Sequence, residues 1–533
     1  MRKYIFITGG VVSSLGKGLT LASIAMLLEK KGLQIAMLKL DPYLNVDPGT
    51  MNPFEHGEVY VTDDGTEADL DLGHYYRYTN ALLSRDSTAT TGQIYDTVIK
   101  QERQGDYLGR TVQVIPHITE EIKKRIKNCG QVAGAQVVLI EIGGTVGDIE
   151  SLPFLEAIRQ FRYDYQNDCL NIHMTYVPYL KAAGEVKTKP TQHSVQTLRG
   201  IGILPDLILC RCENPLSSEI KEKISLFCNI PYGAVFDEVD VKNTIYEVPI
   251  MLHKQGVTEI ICRKLNLESP KIDLCDWEKI IKKVKKTKET LTVGIVGKYL
   301  QHQDAYKSLF EALHHAAIAV EYNLKIQTIE ADRITEFEGC DGYLVPGGFG
   351  PRGWEGKILA AKYCREKNIP FFGICFGMQV LVVEFARHVL GLIEANSVEI
   401  DPLTKDPIIS LLNEQKTKDH LGGTMRLGSY PCSLKEGSKT YQAYGEKKIF
   451  ERHRHRYEFN NQYKNLAEKH GLLVSGIFEK ENLCEAVEIQ NHPWMIGVQF
   501  HPEFKSRPTK PHPLFLDFMK SMIKYHEKTH SKH

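Results

Sequence analysis

Cys375 stands in the run Pro370-Phe371-Phe372-Gly373-Ile374-Cys375-Phe376-Gly377-Met378-Gln379, which reads as an apolar strand, a G-x-C-x-G turn and a helical pattern over residues 380–387. A strand-to-helix elbow of this form holds a nucleophile at the top of a sheet, here with sulfur in place of a serine oxygen. The helix N-terminus beside it favours the thiolate. Downstream, the apolar run 495–500 ends in His501-Pro502-Glu503, which sets an imidazole at a strand end with a carboxylate two residues on to orient it. Upstream, Leu344-Val345-Pro346-Gly347-Gly348-Phe349-Gly350 supplies a glycine turn whose amides can form an oxyanion hole. Cys375, His501 and Glu503 thus make a complete triad for attack on an amide. The remaining cysteines form no CxxC pair; Cys210 and Cys212, in a strand-like run, read as buried small hydrophobes.

A second constellation opens the chain. Thr8-Gly9-Gly10-Val11-Val12-Ser13-Ser14-Leu15-Gly16-Lys17-Gly18-Leu19-Thr20 lies between a strand and a helix, where backbone amides can cradle phosphates and Lys17 adds a point charge. It departs from the G-x-x-x-x-G-K-[ST] form: five residues separate Gly10 from Gly16, and Gly18 stands where Ser or Thr would ligate magnesium. The metal therefore needs carboxylates from elsewhere. Asp71, in an acid-rich stretch over 63–73, and Glu141, at the end of an apolar run, are the expected Mg²⁺ ligands, since the ion takes hard oxygen donors and would bridge phosphates.

The elements that must position these groups follow from periodicity. Residues 4–8 and 291–296 each read as the opening strand of an α/β domain, the second after a lysine-rich segment at 282–288 that reads as a solvated linker. Strand-like runs at 34–40, 137–142 and 207–210 alternate with helical patterns at 19–31 and 118–127; runs at 342–345, 370–374 and 494–499 repeat that texture. The expectation is two doubly wound α/β domains: a phosphate-loop domain over 1–266, a linker over 267–290, and a thiol domain over 291–533. The polar tail after Ser521 reads as frayed.

Composition narrows the partners. The 533 residues carry 66 Lys+Arg against 66 Asp+Glu, so nothing favours nucleic acid as a bulk partner, and any nucleotide must be held at a local site. With no apolar run near the length of a membrane span and no signal-peptide core, the chain reads as a reduced, cytoplasmic protein without a membrane partner.

The P-G-G-F-G, G-I-C-x-G-M-Q and H-P-E segments resemble the class I glutamine amidotransferase family. That resemblance implies L-glutamine contacts at Gly348, Phe376, Gly377, Met378, Gln379, Glu399 and Arg456; a guanidinium and a carboxylate suit the α-carboxylate and α-ammonium of glutamine. The two histidines beside Arg456, in His453-Arg454-His455-Arg456-Tyr457, could be read as a metal pair but have no third ligand nearby in the sequence. The run 9–18, Lys39-Leu40-Asp41-Pro42-Tyr43, Asp69-Leu70-Asp71-Leu72-Gly73-His74-Tyr75, and the stretches 143–150 and 184–194 resemble the amidoligase domain of the CTP synthase family.

That likeness implies ATP at Ser14, Leu15, Gly16, Lys17, Gly18, Leu19 and Asp71, with adenine near Asp240, Val241 and Lys242. It implies UTP at Ser13, Lys187, Thr188, Lys189, Pro190, Thr191, Gln192 and Lys223, and inhibitory CTP overlapping it near Asp148, Ile149 and Glu150. It also implies GTP as an activator near residues 425–428, Lys307 where the halves meet, and a homotetramer. Two rivals stand beside it. A cobyrinate diamide synthase-like ligase would amidate a carboxylate, against which the basic run 187–192 speaks. A ParA-like switch carrying a dead glutaminase fold would have no chemical need for an intact triad.

Overall fold

In the computed structural model of the chain, the described residues are all except 287–288, 299–302, 334–336, 338, 412–424 and 531–533. They form two compact units, Met1–Thr50 with Ala68–Ile281, and Met51–Glu67 with Lys282–His533.

The first unit is built on a seven-stranded sheet in the order Val235–Val239, Leu207–Cys212, Cys169–Tyr176, Lys3–Gly9, Val137–Ile142, Ile35–Asp41, Thr88–Thr90. Every pairing is parallel. Parallel pairs need crossovers, and the helices Lys17–Lys30, Thr119–Val132, Leu152–Asp164 and Lys189–Gly200 supply them. Helices on both faces make the central strands continuously apolar: Ile5, Phe6, Ile7, Val138, Leu139 and Ile140 are wholly buried. Because Lys3–Gly9 lies between strands that come later in the chain, the order reverses beside it, and a crevice opens at the carboxyl ends.

The second unit is a mixed sheet of nine strands among the described residues, ordered Asn323–Glu330, Thr290–Gly297, Gly342–Val345, Phe371–Ile374, Met495–Val498, Leu483–Ile489, Leu472–Phe478, Arg426–Leu434, Lys448–His455. The first five are parallel and the last four antiparallel. The doubly wound expectation thus describes only the parallel half. The turn between Phe478 and Leu483 is too short for a crossover, so those strands must run antiparallel.

Three expectations from the sequence are corrected. Residues 51–67 do not belong with the first unit. Tyr60 Oη donates to Phe504 O (3.1 Å), Arg452 Nε donates to Asp63 Oδ1 (2.7 Å), and Glu58 accepts from Ser308 N (3.1 Å) and Oγ (2.5 Å). The division between the units falls after Ile281, inside the stretch 267–290, but the solvated linker expected there is in part a helix, Cys275–Lys286, whose Trp277 is buried and donates from Nε1 to Tyr246 O (2.7 Å). The lysines up to Lys286 are that helix's last turn, and residues 287–288 lie outside the described residues. The tail is not frayed at Ser521: the helix Pro513–His530 continues, Met522 is wholly buried, and His526 Nδ1 donates to Asp341 Oδ1 (2.7 Å). Lys524, Glu527, Lys528, Thr529 and His530 occupy the outer face. No helix of the described residues is long and apolar enough to cross a membrane.

Truncation after Ser521 should therefore destabilise the second unit by about 3 kcal/mol or more, the usual cost of losing a buried methionine, seen as a lowered melting temperature. An unchanged melt would mean that the tail is dispensable.

Candidate functional site

Cys375 joins the strand Phe371–Ile374 to the helix Phe376–His388 with φ 51° and ψ −103°. A non-glycine residue in that region is strained and persists only where its surroundings enforce it. Here two glycines do so. A Cβ on Gly377 would lie 2.0 Å from Val345 O, and one on Gly373 would lie 2.5 Å from Gly377 O. The Cys375 thiol donates to Arg454 O (3.7 Å) and accepts from Gln499 Nε2 (3.6 Å).

His501 is held by its own amide, which donates to Arg452 O (2.8 Å), and by Nδ1, which donates to Glu503 Oε1 (2.7 Å). Gly347 lets the ring in, since a Cβ there would meet Cε1 at 2.7 Å. Burial works against a charged His501, but Glu503 and Cys375 overcome it and raise the imidazolium to about 10. His501 therefore carries its proton at neutral pH, available for a leaving amine.

Of the residues expected to meet glutamine, Gly348 lies in the loop after Gly342–Val345, and Phe376, Gly377, Met378 and Gln379 form the first turn of the elbow helix. Glu399 accepts from Gly350 N (2.7 Å); burial raises its carboxyl, with the Lys298 and Arg456 charges opposing. Gln379 Nε2 donates to Tyr457 O (3.0 Å) and Gln499 Oε1 (3.3 Å), which makes its amide a brace for the floor of the site. The histidine pair beside Arg456 is internal: His453 Nδ1 and His455 Nε2 share a hydrogen bond (3.0 Å), and burial depresses both rings. Arg426 is buried too, with Nη1 donating to Glu485 (2.6 Å) and the guanidinium 4.2 Å from the Tyr430 ring centroid. Its Nε and Nη2 are buried without a hydrogen-bond partner among the described residues.

In the first unit the loop between Lys3–Gly9 and Lys17–Lys30 carries Ser13, Ser14, Leu15 and Gly16, and Leu19 follows on the helix. Lys17 Nζ donates to Gly144 O (2.6 Å). A Cβ on Gly18 would fall 2.1 Å from Asp71 Oδ1. That contact explains the departure from the usual phosphate loop: the Asp71 carboxylate fills the space of the missing hydroxyl. Lys39 is the centre of the surrounding charge. Its Nζ donates to Asp71 and to Glu141 Oε1 (3.0 Å), and lies 3.7 Å from Asp41 and 4.0 Å from Asp69.

Burial works against the Lys39 charge, but the surrounding acids hold it well above its ordinary value. Asp71 is held low because Lys39 outweighs burial; burial raises Asp41 to about 6 and also raises Glu141. Tyr75 Oη donates to Glu141 Oε2 (2.5 Å). Four carboxylates around Lys39, with Lys17 as a further cation, leave negative charge in excess, and Asp41 Oδ2 is buried without a hydrogen-bond partner among the described residues. This donor set fits a divalent hard cation.

The remaining expected residues belong to the same unit, on loops and on the helices Lys189–Gly200 and Ser218–Cys228. Asp148 Oδ2 accepts from Thr145 N (2.9 Å), while Ile149 and Glu150 are exposed. Lys187 pairs with Glu185, whose carboxyl it and Lys223 hold low. Lys189 and Pro190 begin the helix Lys189–Gly200, which is preceded by Thr188. Gln192 Nε2 donates to Thr188 Oγ1 (3.1 Å), and Thr191 is buried against Thr175. Asp240 accepts from Arg211 Nε (2.6 Å), and Arg211 Nη1 donates to Leu15 O (3.1 Å), so the stretch that continues into Val241 and Lys242 is tied to the phosphate loop.

Residues 3–267 match the CTP synthase N-terminus family, and residues 301–521 match class-I glutamine amidotransferase. The CTP synthase of Protochlamydia amoebophila is 68% identical over 99% of this chain and 99% of its own, and that of Chlamydia abortus is 62% identical over 98% of each. The chain belongs to the CTP synthase family. The glutaminase domain of Trypanosoma brucei CTPS, solved with acivicin bound, is 35% identical, covering 44% of this chain and 94% of that one with a TM-score of 0.41.

One chain thus joins a CTP synthase N-terminal part to a glutamine amidotransferase part. Several residues of the two sites escape a reading of motifs. Gln499 gave no signal of its own: it follows the strand Met495–Val498, and only the fold brings it to Cys375 and Gln379. Lys39 and Tyr75 stand in segments that carry the resemblance, but nothing in the sequence set them beside Asp71 and Glu141, and Arg211 gave no signal; the three come from separate strands and helices. Glu503→Gln should lower kcat for glutamine hydrolysis by on the order of 10²-fold or more. It should also move the alkaline limb of the pH profile down from about 10, because Glu503 is what raises His501; an unmoved limb would remove Glu503 from the triad.

Proposed function

We propose that the first unit phosphorylates the O4 oxygen of UTP with ATP and that ammonia released from L-glutamine by Cys375 displaces the phosphate, giving CTP, ADP and inorganic phosphate. The observation that carries this reading is that one chain holds both an acid-flanked phosphate loop and an intact Cys375–His501–Glu503 triad. Cys375 attacks the glutamine amide, His501 gives its proton to the departing ammonia, and water then releases glutamate. Gly348 and Phe376 to Gln379 shape that pocket, and Glu399 and Arg456 meet the amino-acid end of glutamine.

In the first unit, residues 14–19 wrap the triphosphate, and Lys17 offsets its charge. Asp240, Val241 and Lys242 meet adenine, a role supported by the Arg211 link to the loop. Lys187 to Gln192, Lys223 and Ser13 meet UTP; the two lysines supply phosphate charge. Inhibitory CTP overlaps that site toward Asp148, Ile149 and Glu150. Asp71 and Glu141 hold Mg²⁺, which when bound neutralises phosphate charge. The functional division follows the expected one, 1–266 and 291–533, with 51–67 reassigned to the glutaminase unit. GTP activation and a homotetramer complete the reading. Exposed Leu108, Val114, Ile115 and Ile149 give the first unit apolar area suited to self-association.

Mixing the protein with UTP, ATP, Mg²⁺ and glutamine should convert uracil to cytosine; no CTP with either glutamine or ammonium would refute the synthase. Cys375→Ala should abolish the glutamine-dependent reaction and leave the ammonium-dependent one. Gly18→Thr, whose Cβ would overlap Asp71, should abolish synthesis from both nitrogen sources while glutamine hydrolysis persists. Synthesis surviving in Gly18→Thr would show that the Asp71 contact is not needed.

A further inference from the structure

Lys357 is a buried charged group in the second unit that the mechanism leaves unused. It sits on the helix Trp354–Lys367 with no solvent exposure, and its Nζ has no hydrogen-bond partner among the described residues. An ammonium buried in that way is costly, and a chain keeps one only where something offsets the cost. Its position supplies the reason. The Nζ lies 4.7 Å from the centroid of the Phe376 ring, and a Cβ built on Gly348 would come within 3.7 Å of it. Phe376 follows the nucleophile, and Gly348 lies in the facing glycine loop. Those are the two places from which backbone N–H groups reach a developing oxyanion.

We infer that Lys357 is a positioning residue for glutamine hydrolysis: its buried ammonium stands behind the two oxyanion-hole segments at Gly348 and Phe376 and stabilises the negative charge that develops on the amide oxygen. The inference rests on the reading of Cys375 as the glutaminase nucleophile. Away from water such a charge acts through a low dielectric, so it need not touch the substrate to matter. The loop beside it is also held by side chains from other segments. Lys298 Nζ donates to Phe349 O and to Gly350 O (3.2 Å), and Glu399 accepts from Gly350 N (2.7 Å).

The charged groups facing Lys357 come from four separate segments. Burial lowers it most; Lys298 and Arg352 add to that effect, Asp332 and Glu399 oppose it, and the amine is brought down to about 7. Its charge is therefore present below neutrality and lost above it in the free enzyme. The same shift bears on stability with a definite sign. A lysine with a lowered folded-state pKa destabilises the fold most at low pH, and the penalty fades as pH rises toward the ordinary lysine value.

The test is Lys357→Met in the full chain, followed by glutamine hydrolysis and thermal melting. The variant should lose about tenfold in kcat with KM for glutamine unchanged, since Lys357 does not contact the substrate. It should also melt higher than the parent, with the gain larger at pH 6 than at pH 9. The parent's kcat/KM should step down as pH rises through about 7, and the variant should lack that step. A variant with parental kcat, or one that melts lower at every pH because the lysine only fills space, overturns the inference. So does a parent profile with no step near neutrality, a reading that stands whether or not the variant folds. A parent that does not hydrolyse glutamine at all would instead refute the assignment of Cys375.

Discussion

The close approach of the elbow helix to the neighbouring strand is the constraint on which the thiol site depends. With a Cβ on Gly377 only 2.0 Å from Val345 O, nothing larger than glycine lets the helix start there. Its seat sets Cys375 in a conformation that the residue would not adopt alone. From that seat the rest follows: the thiol points at Arg454 O and Gln499, the strand carrying Arg454 also receives the His501 amide through Arg452 O, and Glu503 fixes the ring. Nucleophile and base are thus both referred to one strand, Lys448–His455.

The phosphate loop solves a similar problem by a different contact. A standard loop brings its metal-binding hydroxyl with it, whereas here a glycine makes room for the carboxylate of a distant residue. The acid then has to be kept ionised in a buried place, and Lys39 does that for Asp71 while the other acids crowd round. The chain between Asp41 and Asp71, both at this site, makes an excursion that packs with the second unit through Tyr60, Asp63 and Glu58. Residues adjacent in the sequence are therefore held to different cores.

How far the chain can be read in advance depends on the range of the interaction. The elbow, the H-P-E turn and the phosphate loop are local, and each was legible because a tight turn demands particular residue types in a fixed order. Strands buried on both faces were legible as apolar runs. The excursion at 51–67, the helix over 275–286 and the continued tail helix were not. Their anchors, Phe504 for Tyr60, Tyr246 for Trp277 and Asp341 for His526, lie far away in the chain.

The amino-acid sequence by itself determined the candidate groups: a thiol at an elbow, an imidazole with its carboxylate, a lysine in a glycine-rich loop, and acids of the kind a metal takes. Only the tertiary structure decided how those groups are tuned. The proton on His501, the ion pair that keeps Asp71 charged and the buried ammonium of Lys357 are products of burial and of neighbours brought in from elsewhere. Charge energies depend on distance and dielectric, and neither is written in the order of residues.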